Sequence, residues 1–125
     1  MSKASANDVK KLGFSHLMFN AISEIVDFDL YLQEILDENA GEVKAKLTVA
    51  VYDSADPDIQ LDVKRTEKYL AAAELWERRA NIVQSMALPE DPESTIPAGQ
   101  SEQARADAYK TRAQEVIDRL NPPAP

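Results

Sequence analysis

Few side chains in this sequence could perform catalysis, and none stands at a recognisable motif spacing. His16 is the single imidazole, and the chain contains no Cys, which excludes thiolate nucleophiles, disulfides and Cys-ligated zinc. No glycine-rich phosphate loop, nucleophile elbow or zinc-protease His pair is present. A lone His without a partner is usually structural or solvated. We therefore expect no catalytic residue, no cofactor and no enzymatic activity.

The carboxylates that lie closest together are Glu34, Asp37 and Glu38, which share one face of a predicted helix. Carboxylate-bridged metal sites in helical bundles combine Glu with a Glu-x-x-His motif, and the chain has no Glu-x-x-His. A solvated acidic face is the favoured interpretation, and no metal site is expected.

Cationic side chains form a stripe along a later helix, and this stripe could in principle contact phosphate: Lys64, Arg65, Lys68, Arg78 and Arg79. The stripe is interleaved with Glu67, Glu74 and Glu77, so i, i+4 ion pairing explains it equally well. Pairing with the acidic segment 24–42, within a subunit or between subunits, is the favoured interpretation. The formal charge of −8 also argues against a sequence-reading DNA binder.

The negative charge is concentrated in the first half of the chain. Residues 14–62 carry 2 cations and 11 carboxylates, a net charge of −9. Such a segment is either a solvated helix face that favours solubility or an acidic surface that faces a basic partner or lines a passage for nucleic acid. Both interpretations remain open at the level of sequence.

The 125 residues suffice for one domain, and 44% apolar with 29% charged residues is typical of a folded protein. Because Gly is scarce and Ala abundant, we predict an all-α fold, a small helical bundle. Asn7 is predicted to cap a short helix that runs to Leu12, with Gly13 after its end. Ser15 is predicted to cap the next helix, in which Leu17, Met18, Ile22, Ile25 and Val26 have helical spacing. No membrane span or signal peptide is predicted.

A further helix is predicted to start at Asp27 or Asp29 and to continue to about Leu47, with a strand over 46–52 as the alternative. The strongest prediction is a long central helix over about 57–87, because Asp56 can cap it, Pro57 suits its first turn and no Gly or Pro follows until Pro89. This helix is apolar on more than one flank, with Trp76 as a core or interface anchor. It should therefore be central in its own domain or shared with a second subunit.

The C-terminal part is predicted to be a Pro-rich linker over 88–100, followed by a helix that Ser101 caps and a Pro-rich tail that ends at Pro125. This divides the chain into a core of 1–87, the linker 88–100 and a segment 101–125. The last helix has one narrow apolar stripe, formed by Tyr109, Ala113, Val116, Ile117 and Leu120. The stripe either packs back on the core or docks on another protein.

The stretch KYLAAAELWERRA over 68–80, preceded by VKRTE over 63–67, resembles the signature helix of head–tail adaptor (connector) proteins of long-tailed bacteriophages. The similarity extends upstream to the Asp-rich start at 27–29, the Glu38-x-x-x-Glu42 spacing and Val51-Tyr52 before an Asp/Pro turn. It covers about residues 27–87.

The resemblance implies a helical-bundle subunit of a twelve-membered ring in the virion neck, made in the cytoplasm of the bacterial host. Such a ring lies between the portal protein and a stopper or tail-completion protein and extends the DNA channel without sequence-specific binding. The candidate residues for subunit contacts or core anchoring are Tyr69, Leu70, Leu75, Trp76, Arg78 and Arg79. The C-terminal stripe Tyr109, Ala113, Val116, Ile117 and Leu120 is the candidate portal-docking segment. The candidate acidic channel face comprises Glu34, Asp37, Glu38 and Glu42, with 53–62 as its alternative.

Other functions remain open. A stopper or tail-terminator protein of the same neck is the nearest alternative, although such proteins are usually rich in β-structure. A small cytoplasmic regulatory or antitoxin-like helical module would form a dimer. A carboxylate metal enzyme would contain bound iron or manganese.

Overall fold

The computed structural model describes residues 2–19, 25–86 and 99–121. Within these ranges the chain consists of helices and turns without a strand, which confirms the all-α prediction. The α-helices are α1 (Ala6–Lys10), α2 (Phe28–Lys46), α3 (Val49–Tyr52), α4 (Pro57–Met86) and α5 (Gln100–Leu120), and a 3₁₀ helix spans His16–Phe19. Within the ranges that the structure describes, no helix is both long enough and apolar enough to cross a lipid bilayer.

The long helix α4 begins where its capping residues predict. The backbone N–H of Asp58 donates to Oδ1 of Asp56 at 2.9 Å, and Pro57 takes the first helical position, where a missing N–H is harmless. No Gly or Pro interrupts the helix before Met86. The predicted helix over 57–87 is thus confirmed as far as Met86, the last residue described there.

The start of α1 differs from the prediction, because Ser5 and not Asn7 precedes the helix. The backbone N–H and the hydroxyl of Ser5 both donate to the Asp8 carboxylate, at 2.9 and 3.1 Å. The backbone hydrogen bond from Ser5 is the main cause that lowers the pKa of Asp8. Gly13 adopts φ +102° in the turn that follows the helix, which is the conformation expected after a helix end.

Ser15 precedes a 3₁₀ helix instead of the predicted α-helix, and its carbonyl oxygen accepts from the N–H of Met18 at 3.1 Å. The predicted continuation through Ile22 lies outside the described residues. Asp27, one of the two predicted starts, caps α2 by accepting from the N–H of Leu30 at 3.2 Å. The alternative of a strand over 46–52 is wrong, because Thr48 caps the short helix α3 there.

Helix α4 lies between α2 and α5, and both run antiparallel to it. On one side, Tyr31 and Asn39 of α2 meet Arg78 and Glu74, in reversed order along the chain. On the other side, Lys110 pairs with Glu77, while Arg119 pairs with Asp62. The two apolar flanks of α4 are therefore covered within the subunit. Of the two arrangements expected from the sequence, α4 has the one in which it is central in its own domain.

Two groups of buried apolar side chains form the core. The first joins α1, the 3₁₀ helix, α2 and α4, and its buried members include Val9, Phe14, Phe19, Leu32, Ile35, Leu36, Ala71, Ala72 and Leu75. The second closes the other end of the bundle and consists of Val43, Leu47, Tyr52, Val63 and Ile117. Ala71, Ala72 and Ala73 are at most 1% exposed, because their small side chains let neighbouring segments approach α4 closely.

Helix α5 begins at Gln100, so the predicted Ser101 cap is wrong. The residue before the helix is Gly99, with φ +85°, while the Ser101 hydroxyl donates to Glu102 inside the first turn. A Cβ at Gly99 would lie 2.8 Å from the carbonyl oxygen of Ala80. The close approach of the two helices and the positive φ together require glycine at this position. Apart from Gly99, Gln100 and Asn121, the predicted linker 88–100 and Pro-rich tail lie outside the described residues.

Candidate interaction surfaces

No cluster of side chains in the described part of the chain is built for metal chemistry. Among residues 2–19, 25–86 and 99–121, no group of three or more His, Asp or Glu side chains could hold a metal ion. His16, the single histidine, is exposed, and its ring stacks on the ring of Phe28 with centroids 5.5 Å apart and planes 9° from parallel. We therefore describe surfaces that could bind a partner.

A groove lies along the first half of α2, and we call it the acidic groove. Its volume is about 480 Å³. Its lining consists of Ile25, Val26, Asp27, Leu30, Tyr31, Glu34, Ile35, Glu38 and Arg78. Val26 is 92% exposed and Leu30 is 57% exposed, so apolar surface faces the solvent between carboxylates. A large exposed apolar patch rimmed by charge is typical of a protein-binding surface.

Arg78 closes the acidic groove on the side of α4. Its Nη1 donates to the Tyr31 hydroxyl at 2.9 Å, and its guanidinium carbon lies 5.3 Å from the Tyr31 ring centroid. Its Nη2 lies 3.6 Å from the Glu74 carboxylate. Partial burial lowers the pKa of Arg78, but the hydrogen bond with Tyr31 and the nearby carboxylates outweigh this effect and raise it. Arg78 is thus a fixed cation that orders α2 against α4.

The four residues of the predicted acidic channel face are all exposed on α2, but they do not act as one group. Glu34 and Glu38 line the acidic groove, whereas Glu42 lies beyond its lining. Asp37 accepts hydrogen bonds from the backbone N–H of Ser2 at 2.9 Å and from the Gln33 amide at 3.0 Å. Burial raises the pKa of Asp37, but these hydrogen bonds lower it below its usual value. Asp37 therefore anchors the N-terminal segment.

A second surface combines aromatic rings with arginines, and we call it the aromatic–arginine face. It is a depression of about 280 Å³ where the turn after α1 meets α4 and α5, and its lining is Leu12, Trp76, Arg105, Ala108, Tyr109 and Arg112. The guanidinium carbon of Arg105 lies 4.7 Å from the Trp76 ring centroid, and that of Arg112 lies 5.2 Å from the Tyr109 centroid. Neither arginine forms an ion pair with a carboxylate of the described residues.

The six residues predicted as interface or core anchors make contacts within the subunit. Leu75 is fully buried in the first core group, and Leu70 packs against the second. Arg79 donates from Nη1 to the carbonyl oxygen of Met18 at 2.8 Å. Tyr69 packs on Tyr109 with ring centroids 5.8 Å apart. Trp76 packs on Phe14, 5.4 Å between ring centroids, and remains partly exposed in the aromatic–arginine face.

The stripe predicted to dock on a portal lies between α5 and the rest of the bundle. Ala113, Val116 and Ile117 are at most 6% exposed, and Tyr109 and Leu120 are half-buried against the two core groups. Of the two alternatives for this stripe, the structure shows the one in which α5 packs on its own core. A portal contact through the same residues would require α5 to leave α4.

The basic stripe on α4 pairs with carboxylates of its own helix instead of the acidic segment 24–42. Arg65 lies 3.2 Å from Asp62, three residues earlier, and Arg78 pairs with Glu74, four residues earlier. Within the described residues, the stripe forms no salt bridge with α2. The favoured pairing with residues 24–42 is therefore wrong within the subunit, where i, i+3 and i, i+4 pairing accounts for the salt bridges of Arg65 and Arg78, while pairing between subunits stays a prediction.

The structure also contains a buried polar site that the sequence did not reveal. Glu67 is fully buried, and its Oε1 accepts from the backbone N–H groups of Lys3 and Ala4 at 2.7 and 2.8 Å. Its Oε2 accepts from the Tyr52 hydroxyl at 2.7 Å. Burial, followed by the hydrogen bond to Glu67, raises the pKa of Tyr52. Three donors thus satisfy a carboxylate without a cation, and the segment 2–4 is held to α3 and α4.

Comparison with known proteins gives no family for this chain, since no family model, no curated protein and no solved structure matches it.

Proposed function

We propose that this chain is a structural subunit of a bacteriophage neck, an adaptor ring between the portal and the stopper or tail-completion protein. The resemblance of residues 27–87 to head–tail adaptors supports this function. The stretch that carries it, 68–80, lies in the middle of α4, the central helix of a small bundle. Such a protein acts through shape and surface complementarity and performs no chemistry.

The observation that carries the proposal is the presence of two unlike surfaces on opposite sides of α4. Arg78 belongs to the acidic groove and Trp76 to the aromatic–arginine face. Two residues along an α-helix correspond to a rotation of about 200°. A subunit that joins unlike surfaces can form a closed ring, whereas a twofold dimer needs one self-complementary surface.

A channel for DNA requires a wall that does not hold phosphate, and the acidic part of this chain provides one. Exposed carboxylates occur on α2, in the turn before α4 at Asp53 and Asp56, and in the first turn of α4 at Asp58. Negative potential along the lumen repels the DNA backbone and favours sliding. Either the carboxylates of α2 or those at the start of α4 can face the channel. Neither group of carboxylates would bind DNA in a sequence-specific way.

The decisive experiment is to coexpress the chain with the portal protein of the same virus and to image the purified complex by negative-stain electron microscopy. A ring of twelve copies on one end of the portal is expected, together with the corresponding mass by native mass spectrometry. The unbound chain should be a monomer at micromolar concentration. A stable dimer that ignores the portal would instead favour the regulatory module.

A further inference from the structure

We propose that the acidic groove of one copy binds the aromatic–arginine face of a second copy, in a head-to-tail contact. This inference rests on the proposed function and names the two surfaces that would join neighbouring subunits. The occupant of each surface is therefore another copy of the same chain.

The two surfaces have opposite charge around similar apolar centres. In the acidic groove, Glu34 and Glu38 flank the exposed Val26 and Leu30. In the aromatic–arginine face, Arg105 and Arg112 flank Leu12, Trp76 and Tyr109. Charged side chains that surround an apolar centre are the usual arrangement of a protein interface, in which the centre provides affinity and the rim provides register.

The charges also repeat at the same interval along the two helices. Asp27, the N-cap residue before α2, and Glu34 within α2 are seven residues apart, as are Arg105 and Arg112 of α5. Seven residues correspond to two helical turns, or about 10 Å along the axis. Two packed helices can therefore bring both arginines opposite carboxylates at once, with Glu38 one further turn along α2.

The arginines are already oriented before any contact forms. Each guanidinium stacks on an aromatic ring of its own subunit, Arg105 on Trp76 and Arg112 on Tyr109. A planar group held in this way loses less rotational freedom when it binds a carboxylate. Exposed ion pairs contribute little individually, so the contact should be weak between free copies and strengthened where a portal gathers many of them.

The contact must form between copies, because the two surfaces face away from each other within one subunit. Trp76 and Arg78 are two residues apart on α4, so their side chains project about 200° apart around the helix axis. Each copy that offers its acidic groove to one neighbour still has its aromatic–arginine face free for another. If Glu34 and Glu38 lie in this contact, the exposed carboxylates of Asp53, Asp56 and Asp58 remain available for the channel.

Cysteine cross-linking tests the contact directly, because the chain has no Cys of its own. Glu38→Cys and Arg112→Cys are purified separately, mixed in equal amounts at high concentration and treated with a short bismaleimide. The mixture should give cross-linked dimer at several-fold higher yield than either variant alone. The matched control replaces Arg112→Cys by Gln114→Cys, an exposed position on the opposite side of α5, and should give only the background yield.

Charge reversal provides a second measurement that does not depend on cross-linker reach. Well above micromolar concentration the unmodified chain should associate weakly in sedimentation velocity, and Glu34→Arg with Glu38→Arg in one chain, or Arg105→Glu with Arg112→Glu in another, should abolish this association. An equal mixture of the two should associate again, because each variant then offers a surface whose charge is opposite to that of the other: the reversed groove meets the reversed face, and the unmodified face meets the unmodified groove. Unchanged circular dichroism and urea midpoints would establish that both variants are folded.

The possible results separate this contact from the adaptor function. The inference is overturned if the mixture cross-links no better than the Gln114→Cys control, or if Glu38→Cys alone cross-links to itself equally well, as in a twofold dimer. Cross-linking and charge rescue without portal binding would support the contact and refute the adaptor function. A ring on the portal without the Glu38–Arg112 cross-link would support the adaptor function and refute the contact.

Discussion

Glu67 on α4 and Glu34 and Glu38 on α2 are the same residue type in helices of the same bundle, yet their surroundings are opposite. Glu67 is fully buried and accepts three hydrogen bonds from Lys3, Ala4 and Tyr52. Glu34 and Glu38 are exposed in a groove that also exposes apolar side chains. Glu67 thus holds the subunit together, while Glu34 and Glu38 are available to a partner.

The free-energy cost of burying a carboxylate explains why Glu67 and the exposed pair Glu34 and Glu38 have different roles. A carboxylate removed from water is tolerated only when donors replace its hydration, and Glu67 has two backbone N–H groups and one hydroxyl for this purpose. Exposed carboxylates keep their water and contribute little to stability. Mutations at the two places should therefore affect different properties of the protein.

The largest effect on stability is expected for Glu67→Ala. Removal of the carboxylate leaves three donors without their acceptor and opens a cavity, which should lower the free energy of unfolding by about 3–5 kcal/mol. Urea denaturation measures this loss, and amide hydrogen exchange at Lys3 and Ala4 should accelerate at the same time. Glu67→Gln keeps an acceptor for these amides and should lose much less. Equal losses for both variants would contradict the assigned role of the hydrogen bonds.

Tyr52→Phe should have the next largest effect, a loss of about 1–2 kcal/mol, because it deletes the hydroxyl that donates to Oε2 of Glu67. The ring itself remains in the second core group. Urea unfolding of the single variants and of the double variant Tyr52→Phe/Glu67→Gln forms a double-mutant cycle. Additive losses, with no coupling between the two positions, would show that the hydrogen bond is not formed.

Alkaline pH should weaken the same contact in the unmodified protein. The pKa of Tyr52 is raised from 10.0 by burial and by Glu67, so the stabilisation is complete below pH 10. Above pH 10 the unfolded chain loses this proton first, and stability falls by up to about 1.4 kcal/mol for each pH unit. Tyr52→Phe should show a shallower decline in urea midpoint above pH 10. A parallel decline in both proteins would refute this assignment.

Acid pH should reveal a smaller effect at Asp37. Its pKa is lowered by hydrogen bonds from Ser2 and Gln33, so the ionised form stabilises the folded state above the usual value of 3.8. This contribution is lost as the pH falls through the lowered pKa. Asp37→Asn should therefore flatten the acid limb of the pH–stability curve, measured by thermal unfolding. Glu42→Gln, which removes an exposed carboxylate of the same helix, is the control for the loss of one negative charge.

The smallest effect on stability is expected for Glu34→Gln with Glu38→Gln. Because both side chains are exposed in the acidic groove, the free energy of unfolding should change by less than about 0.5 kcal/mol. Circular dichroism and urea unfolding check this prediction. A loss comparable to that of Tyr52→Phe would show that the groove is held together by these carboxylates and would remove the contrast with Glu67.

Capping chemistry made part of the fold predictable. Asp56 and Pro57 fix the start of α4, and the absence of Gly and Pro carries it to Met86, so local residues suffice. The same method failed at Asn7 and Ser101. Ser5 forms a reciprocal arrangement with Asp8, and Gly99 is needed where α5 approaches α4. At Gly99 a distant carbonyl oxygen, not the local sequence, decides where the helix begins.

For the candidate surfaces, the sequence predicted only which charged residues are exposed. Glu34, Asp37, Glu38 and Glu42 are exposed on one helix, as the spacing predicted. The groove beside Val26 and the stacking of Arg105 on Trp76 required the packing of separate helices. From the sequence, Glu67 was grouped with Glu74 and Glu77 among the acids interleaved with the basic stripe, and nothing in its immediate sequence distinguishes it from them.

From the sequence follow the all-α class, the long central helix α4 and the excess of acid in the first half of the chain. These follow from local propensity, capping and composition, which act over a few residues. Only the tertiary structure decided that both flanks of α4 are covered within one subunit, that α5 packs on its own core and that Glu67 is buried. These outcomes depend on contacts between residues far apart in the chain, such as Lys3 and Glu67, which are 64 positions apart, and no local pattern encodes such contacts.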